Sequence, residues 1–172
     1  MPAAALSLPG NVLGVLAGEA LRGAWLALQP IGVVAGGLPI AVYERNRGAA
    51  QTVLLVHGLG EHAGRYGAVA EQLNTWGFAV RGFDQYGHGE SGGVRGALPS
   101  DQRLLDDLAD IVDSTRYRME PGTPLILLGH SMGGLVSFEV ARRLDEAGHG
   151  IGALFLSAIA SPGRVGFDYI PD

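Results

Sequence analysis

The chain has 172 residues, 47% hydrophobic and 17% charged, with a net charge of −5. That length suits one domain able to bury roughly 70% of its unfolded surface, and the composition excludes a disordered chain. All 12 cations are scattered arginines, so no basic face exists for phosphate and nucleic acid is excluded as a partner. Cysteine is absent, which removes disulfides, thiol catalysis and Cys-ligated zinc. The 28 glycines suit a fold with many tight strand-to-helix turns.

No basic residue precedes the apolar run at residues 3–18, so the charged start of a secretory signal is missing. Residues 23–43 carry no charge and are long enough on paper to span a bilayer, but Pro30, Pro39 and several glycines interrupt them. The reading is an apolar segment, residues 1–40, that packs on the surface and leads into an early strand. The protein is expected to be cytoplasmic, with any membrane contact made through its substrate.

From Gln51 onward the pattern is regular. Residues 52–57 form a short apolar, β-branched run that reads as a buried strand. A glycine-rich turn follows at residues 58–64. Tyr66, Val69, Ala70, Leu73 and Trp76 recur at helical spacing, and Gly77 stops that helix. Residues 78–83 read as a second strand, and residues 84–96 as a glycine-rich loop. Ser100 is the expected N-cap of a helix whose apolar face is Leu104, Leu108, Ile111 and Val112. Asp101, Asp106 and Asp107 lie near its start and Arg116 and Arg118 near its end, as the macrodipole favours. After a connector at residues 121–124, residues 125–128 read as a third strand. It runs into Gly129-His130-Ser131-Met132-Gly133 and a helix that ends near Ala147 and Gly148. Residues 152–157 read as a fourth strand. Strand–helix alternation with short connections predicts a mostly parallel sheet with helices on both faces.

Gly129-His130-Ser131-Met132-Gly133 is a G-x-S-x-G between an apolar strand and a helical pattern, the context in which that motif lifts a nucleophile above a sheet. Glycines two residues either side relieve the crowding of the sharp turn. Gly134 lets the helix lie close to the sheet. A serine that only caps a helix needs no such set of glycines. The helix N-terminus beside Ser131 offers backbone N–H groups to an oxyanion.

Three segments resemble the monoacylglycerol-lipase-like α/β-hydrolases. They are His57-Gly58-Leu59-Gly60-Glu61-His62-Ala63-Gly64-Arg65-Tyr66, Asp84-Gln85-Tyr86-Gly87-His88-Gly89-Glu90-Ser91, and Leu128-Gly129-His130-Ser131-Met132-Gly133-Gly134. Leu156-Ser157-Ala158 is similar to the strand end that follows. The resemblance implies an α/β-hydrolase fold, mostly parallel, in which residues 1–172 form a single, C-terminally truncated domain. It implies Ser131 as acylated nucleophile and the backbone N–H groups of Leu59 and Met132 as the oxyanion hole. It implies monoacylglycerol-like ester substrates and no metal or organic cofactor.

That family draws an acid and then a histidine from residues after the serine. Here only His149 follows, beyond the elbow helix and at the far end of the sheet. His57, His62, His88 and His130 read as structural hydrogen-bonders. Asp168 is the remaining candidate acid, while Asp145 and Glu146 fit a solvated helix end. The chain alone is therefore expected to be catalytically inactive. Two other readings stand beside this one. The first is a non-catalytic binding module or decayed fragment on the same scaffold. The second is a dinucleotide-binding domain, in which Gly58, Gly60 and Ala63 form the phosphate turn and Asp84 binds ribose.

Overall fold

The structure is a computed structural model that describes residues 31–45 and 49–158. Strand β3, Thr52–Val56, is buried along its whole length. Its period-two alternation sends Leu54 and Val56 to one face of the sheet and Val53 and Leu55 to the other. Helix α1, Gly67–Thr75, enters through a 3-10 turn at Ala63–Tyr66. It packs Val69, Ala70 and Leu73 on the Val53 face. Helices α2, Arg103–Arg116, and α3, Met132–Glu146, cover the Leu54 face with Leu108, Ile111, Val136 and Val140. Each fully buried side chain of this size is worth about 1.5–3 kcal/mol of transfer free energy, so the sheet is held from both sides.

Among the described residues, six strands form one sheet in the order β1-β2-β4-β3-β5-β6. Strands β4 (Ala79–Phe83), β3, β5 (Leu125–His130) and β6 (Ala153–Ser157) run parallel. Strands β1 (Ile31–Ala35) and β2 (Leu38–Arg45) form an antiparallel hairpin, and β2 pairs antiparallel with β4. Val56 lies opposite Phe83 on one side and Gly129 on the other. Residues 57, 84 and 130 therefore lie side by side at the carboxyl ends of the strands, where open α/β sheets place their sites.

The uncharged stretch at residues 23–43 thus holds β1 and part of β2 from Ile31 on, so it forms no single apolar helix there. Among the described residues, no helix is long and apolar enough to cross a membrane. One cap differs from expectation. Helix α2 starts at Arg103, and its N-cap residue is Gln102 with no side-chain cap. Ser100 contributes its carbonyl oxygen, which accepts the Arg103 N–H at 3.4 Å, because a turn at residues 101–102 intervenes.

Candidate active site

Ser131 sits between β5 and α3 with φ 52° and ψ −119°, a conformation that L-residues rarely adopt. Such a residue costs of order 1–3 kcal/mol and persists only where its surroundings over-determine it. Here they do. The Ser131 N–H donates to the Ser157 carbonyl at 2.8 Å, and its own carbonyl accepts the Gly134 and Leu135 N–H groups at 3.0 and 3.3 Å. The flanking glycines make the turn sterically possible. A Cβ on Gly129 would meet the Gly133 carbonyl oxygen at 2.6 Å and the Gly134 Cα at 2.7 Å. A Cβ on Gly133 would run into the carbonyl oxygens of Val56 and His57.

The loop after β3 lies against this turn. A Cβ on Gly58 would be 3.2 Å from the Ser131 Cβ. Gly58 N–H donates to Glu61 Oε2 at 3.0 Å, and the Tyr66 hydroxyl donates to the same oxygen at 2.7 Å. The Gly58 carbonyl accepts Glu61 N–H at 3.3 Å and lies 2.8 Å from His57 Nδ1. Gly60 N–H reaches His88 Nε2 at 3.2 Å. Among the described residues, neither the Leu59 N–H nor the Met132 N–H has an acceptor. Met132 is the first residue of α3, directly after Ser131, and Leu59 follows Gly58 in the adjoining loop with 65% of its surface accessible. The α3 N-terminus adds its partial positive charge there.

Buried groups fix the two loops to each other. His57 is only 1% exposed. Its Nε2 accepts the Gln85 N–H at 2.9 Å, so Nδ1 carries the proton and donates to Gly58. Burial lowers its pKa to about 4, which keeps the ring neutral. Asp84 is fully buried. Its Oδ1 accepts Ala63 N–H at 2.7 Å, and Oδ2 accepts Glu90 N–H at 2.9 Å and the Tyr43 hydroxyl at 3.1 Å. Burial, then the Asp84 charge, raises the Tyr43 pKa. Burial would raise the Glu61 pKa, but the Tyr66 hydroxyl, the Gly58 N–H, His130 and Arg65 hold it below the ordinary value.

These contacts overturn the dinucleotide reading. A ribose-binding acid must face a ligand, whereas both Asp84 oxygens are occupied inside the protein. The loop that would cradle a pyrophosphate already holds the Glu61 carboxylate on the Gly58 N–H.

The expected site residues fall as follows. Met132 follows Ser131 at the start of α3, and the loop that carries Leu59 touches the Ser131 turn at Gly58. His130 Nδ1 lies 3.4 Å from the Ser157 hydroxyl oxygen. His62 is exposed ahead of the 3-10 turn. His149 follows the 15 residues of α3, about 22 Å from Ser131 at 1.5 Å per residue. Asp145 and Glu146 are exposed at that helix end, Glu146 paired with Arg142. Asp168 lies outside the described residues. Among the described residues, none hydrogen-bonds the Ser131 hydroxyl. The roles of Glu61, Gln85 and Asp84 were missed in the sequence. Their signal was membership in the two glycine-histidine loops, but their partners lie 21–28 residues away for Asp84 and Gln85.

A parallel-rich sheet covered on both faces, with a serine on a strained strand-to-helix turn beside open backbone donors, defines an α/β-hydrolase. The chain belongs to the serine aminopeptidase S33 family, whose sequence model matches residues 47–164. Human monoglyceride lipase is 35% identical over 118 residues, covering 68% of this chain and 38% of the lipase. The monoacylglycerol lipase of Mycolicibacterium smegmatis is 41% identical over 91 residues, 53% of this chain and 32% of that protein. A soluble variant of Saccharomyces cerevisiae monoglyceride lipase, in complex with a substrate analog, superposes with a TM-score of 0.64 at 24% identity. That match covers 73% of this chain and 42% of the yeast chain. The chain thus spans less than half the length of each of these relatives.

Proposed function

We propose that the protein is a carboxylic ester hydrolase acting on monoacylglycerol-like esters through an acyl-Ser131 intermediate. The observation that carries this reading is the strained backbone of Ser131 (φ 52°, ψ −119°), with the N–H groups of Met132 next to it and of Leu59 in the adjoining loop lacking an acceptor among the described residues. Ser131 Oγ attacks the ester carbonyl carbon and gives its proton to a base. The Leu59 and Met132 N–H groups receive the oxyanion, a contribution of about 2.7–4 kcal/mol per donor. The alcohol departs with that proton, and water then releases the carboxylic acid and restores the serine. The chemistry needs no cofactor. The similarity to two monoacylglycerol lipases supports the substrate class.

The base and acid come from outside the described contacts of Ser131. The competing reading is a non-catalytic binding module, favoured by the absence, among the described residues, of any partner for the Ser131 hydroxyl. The test uses the protein purified from its source, its intact mass recorded. Monoacylglycerol hydrolysis and labelling by a fluorophosphonate are measured beside Ser131→Ala. Expected are turnover and a probe adduct on the Ser131 peptide, both abolished in the variant. Turnover that survives Ser131→Ala overturns the nucleophile assignment. A folded protein that neither labels nor turns over supports the binding module.

A further inference from the structure

The Leu59 N–H can serve an oxyanion only if the two peptide planes flanking the Leu59 Cα hold still. The first plane, Gly58–Leu59, is held by its carbonyl. That oxygen faces His57 Nδ1 and the Glu61 N–H, and in a trans peptide the Leu59 N–H points the opposite way. The second plane, Leu59–Gly60, has one side-chain hydrogen bond among the described residues, from Gly60 N–H to His88 Nε2 at 3.2 Å. Gly60 has φ +70°, so no side chain of its own steadies that corner.

His88 is itself built in. Its Nδ1–H donates to the Tyr86 carbonyl at 2.8 Å, which leaves Nε2 as an acceptor. Arg95 grips the carbonyls of Gly87 and Gly89, one on each side of His88, at 3.2 and 2.6 Å. The ring also stacks obliquely against His57, with centroids 5.2 Å apart. A histidine fixed at both ends for the sake of one glycine N–H points to a purpose at that glycine. The Ser131 geometry supplies it.

We infer that His88 is a positioning residue for the Leu59 oxyanion donor, acting through the Gly60 N–H. This rests on the ester-hydrolase reading of Ser131, and the test separates the two. His88→Ala, His88→Gln and Ser131→Ala are compared with the unaltered protein purified from its source, for p-nitrophenyl butyrate kinetics and for amide hydrogen exchange. His88→Ala is expected to lower kcat about tenfold to a hundredfold, as a misplacement near 1 Å does, with KM within about twofold. The peptide holding Leu59 and Gly60 should exchange faster, while β3 and α3 keep their protection. His88→Gln, whose side-chain carbonyl can accept the Gly60 N–H, should recover part of both losses. An unchanged kcat in His88→Ala, or a fall matched by a rise in KM, overturns the inference, as does unchanged exchange at Gly60. If hydrolysis survives Ser131→Ala, the nucleophile reading fails instead. The exchange of Gly60 then decides the His88 contact by itself.

Discussion

His57 ties the oxyanion loop to the loop after β4 with a neutral ring, and that neutrality has a measurable consequence. Burial lowers its pKa from 6.5 to about 4. The Gly58 carbonyl, Asp84 and Glu61 pull the other way, and His88 adds to the lowering. Charging the ring would also remove Nε2 as acceptor for the buried Gln85 N–H. The folded state therefore binds fewer protons than the unfolded chain between those two values. Stability is full above pH 6.5 and falls as pH drops toward 4, by about 3 kcal/mol in total from this one residue. Glu61 acts in the same direction, but only below its ordinary 4.5, because its folded pKa is lowered. Asp107, whose pKa burial raises, acts the opposite way, so between pH 6.5 and 5 a fall in stability points to His57. Urea midpoints measured across it should fall with acidity, and His57→Asn should flatten that slope whatever it does to absolute stability. An unchanged slope in the variant would assign the acid sensitivity elsewhere.

At the scale of elements, the β5–α3 junction brings helix and sheet close together, and Gly133 is the contact point. Replacing glycine by alanine inside an ordinary helix stabilises by about 1 kcal/mol. At Gly133 the added methyl would press on the carbonyl oxygens of Val56, in a strand hydrogen-bonded on both sides, and of His57, which accepts from Gln85 Nε2. Neither can move freely. Gly133→Ala is expected to reverse the sign and cost about 2 kcal/mol or more, in line with overpacked cores. Urea denaturation checks it, and a neutral or stabilised variant would mean the helix can lift off the sheet. The same steric logic explains what could be read in advance. The strands at residues 52–57, 78–83, 125–128 and 152–157 were legible within two residues, because buried parallel strands are apolar runs bounded by glycine. The β1–β2 hairpin was legible only as an early strand. Its turn is also held by Arg103 of α2, which donates to the carbonyls of Ala35 and Gly36 from 67–68 residues away. Ser100 misled as a cap because local propensity says nothing of the turn inserted before Arg103.

For the whole molecule, the strained turn at Ser131 was legible because steric need writes itself into glycines at fixed offsets. The side chains that hold the two loops were not, since Glu61, Asp84 and His88 act through contacts that only the folded sheet creates. The same view decides what the 172 residues can do by themselves. A general base must come within about 2.6–3.2 Å of the hydroxyl it serves. The sequence has five histidines, so each can be examined in turn. His57 is buried with both ring nitrogens engaged, and His88 is engaged by Tyr86 and Gly60. His62 is exposed outside the turn, His130 faces Ser157, and His149 lies beyond the far end of α3. A serine without a base is a weak nucleophile, and open oxyanion donors alone leave only a small residual rate. The isolated 172-residue chain should therefore hydrolyse p-nitrophenyl butyrate within about tenfold of its Ser131→Ala variant, far below what a complete triad gives. Circular dichroism on both chains establishes that folded protein is being compared. Fast turnover by the isolated chain that vanishes in Ser131→Ala would mean that one of these five rings swings onto Ser131 when substrate binds. His130 would then be the first to replace, being adjacent in sequence and only partly buried.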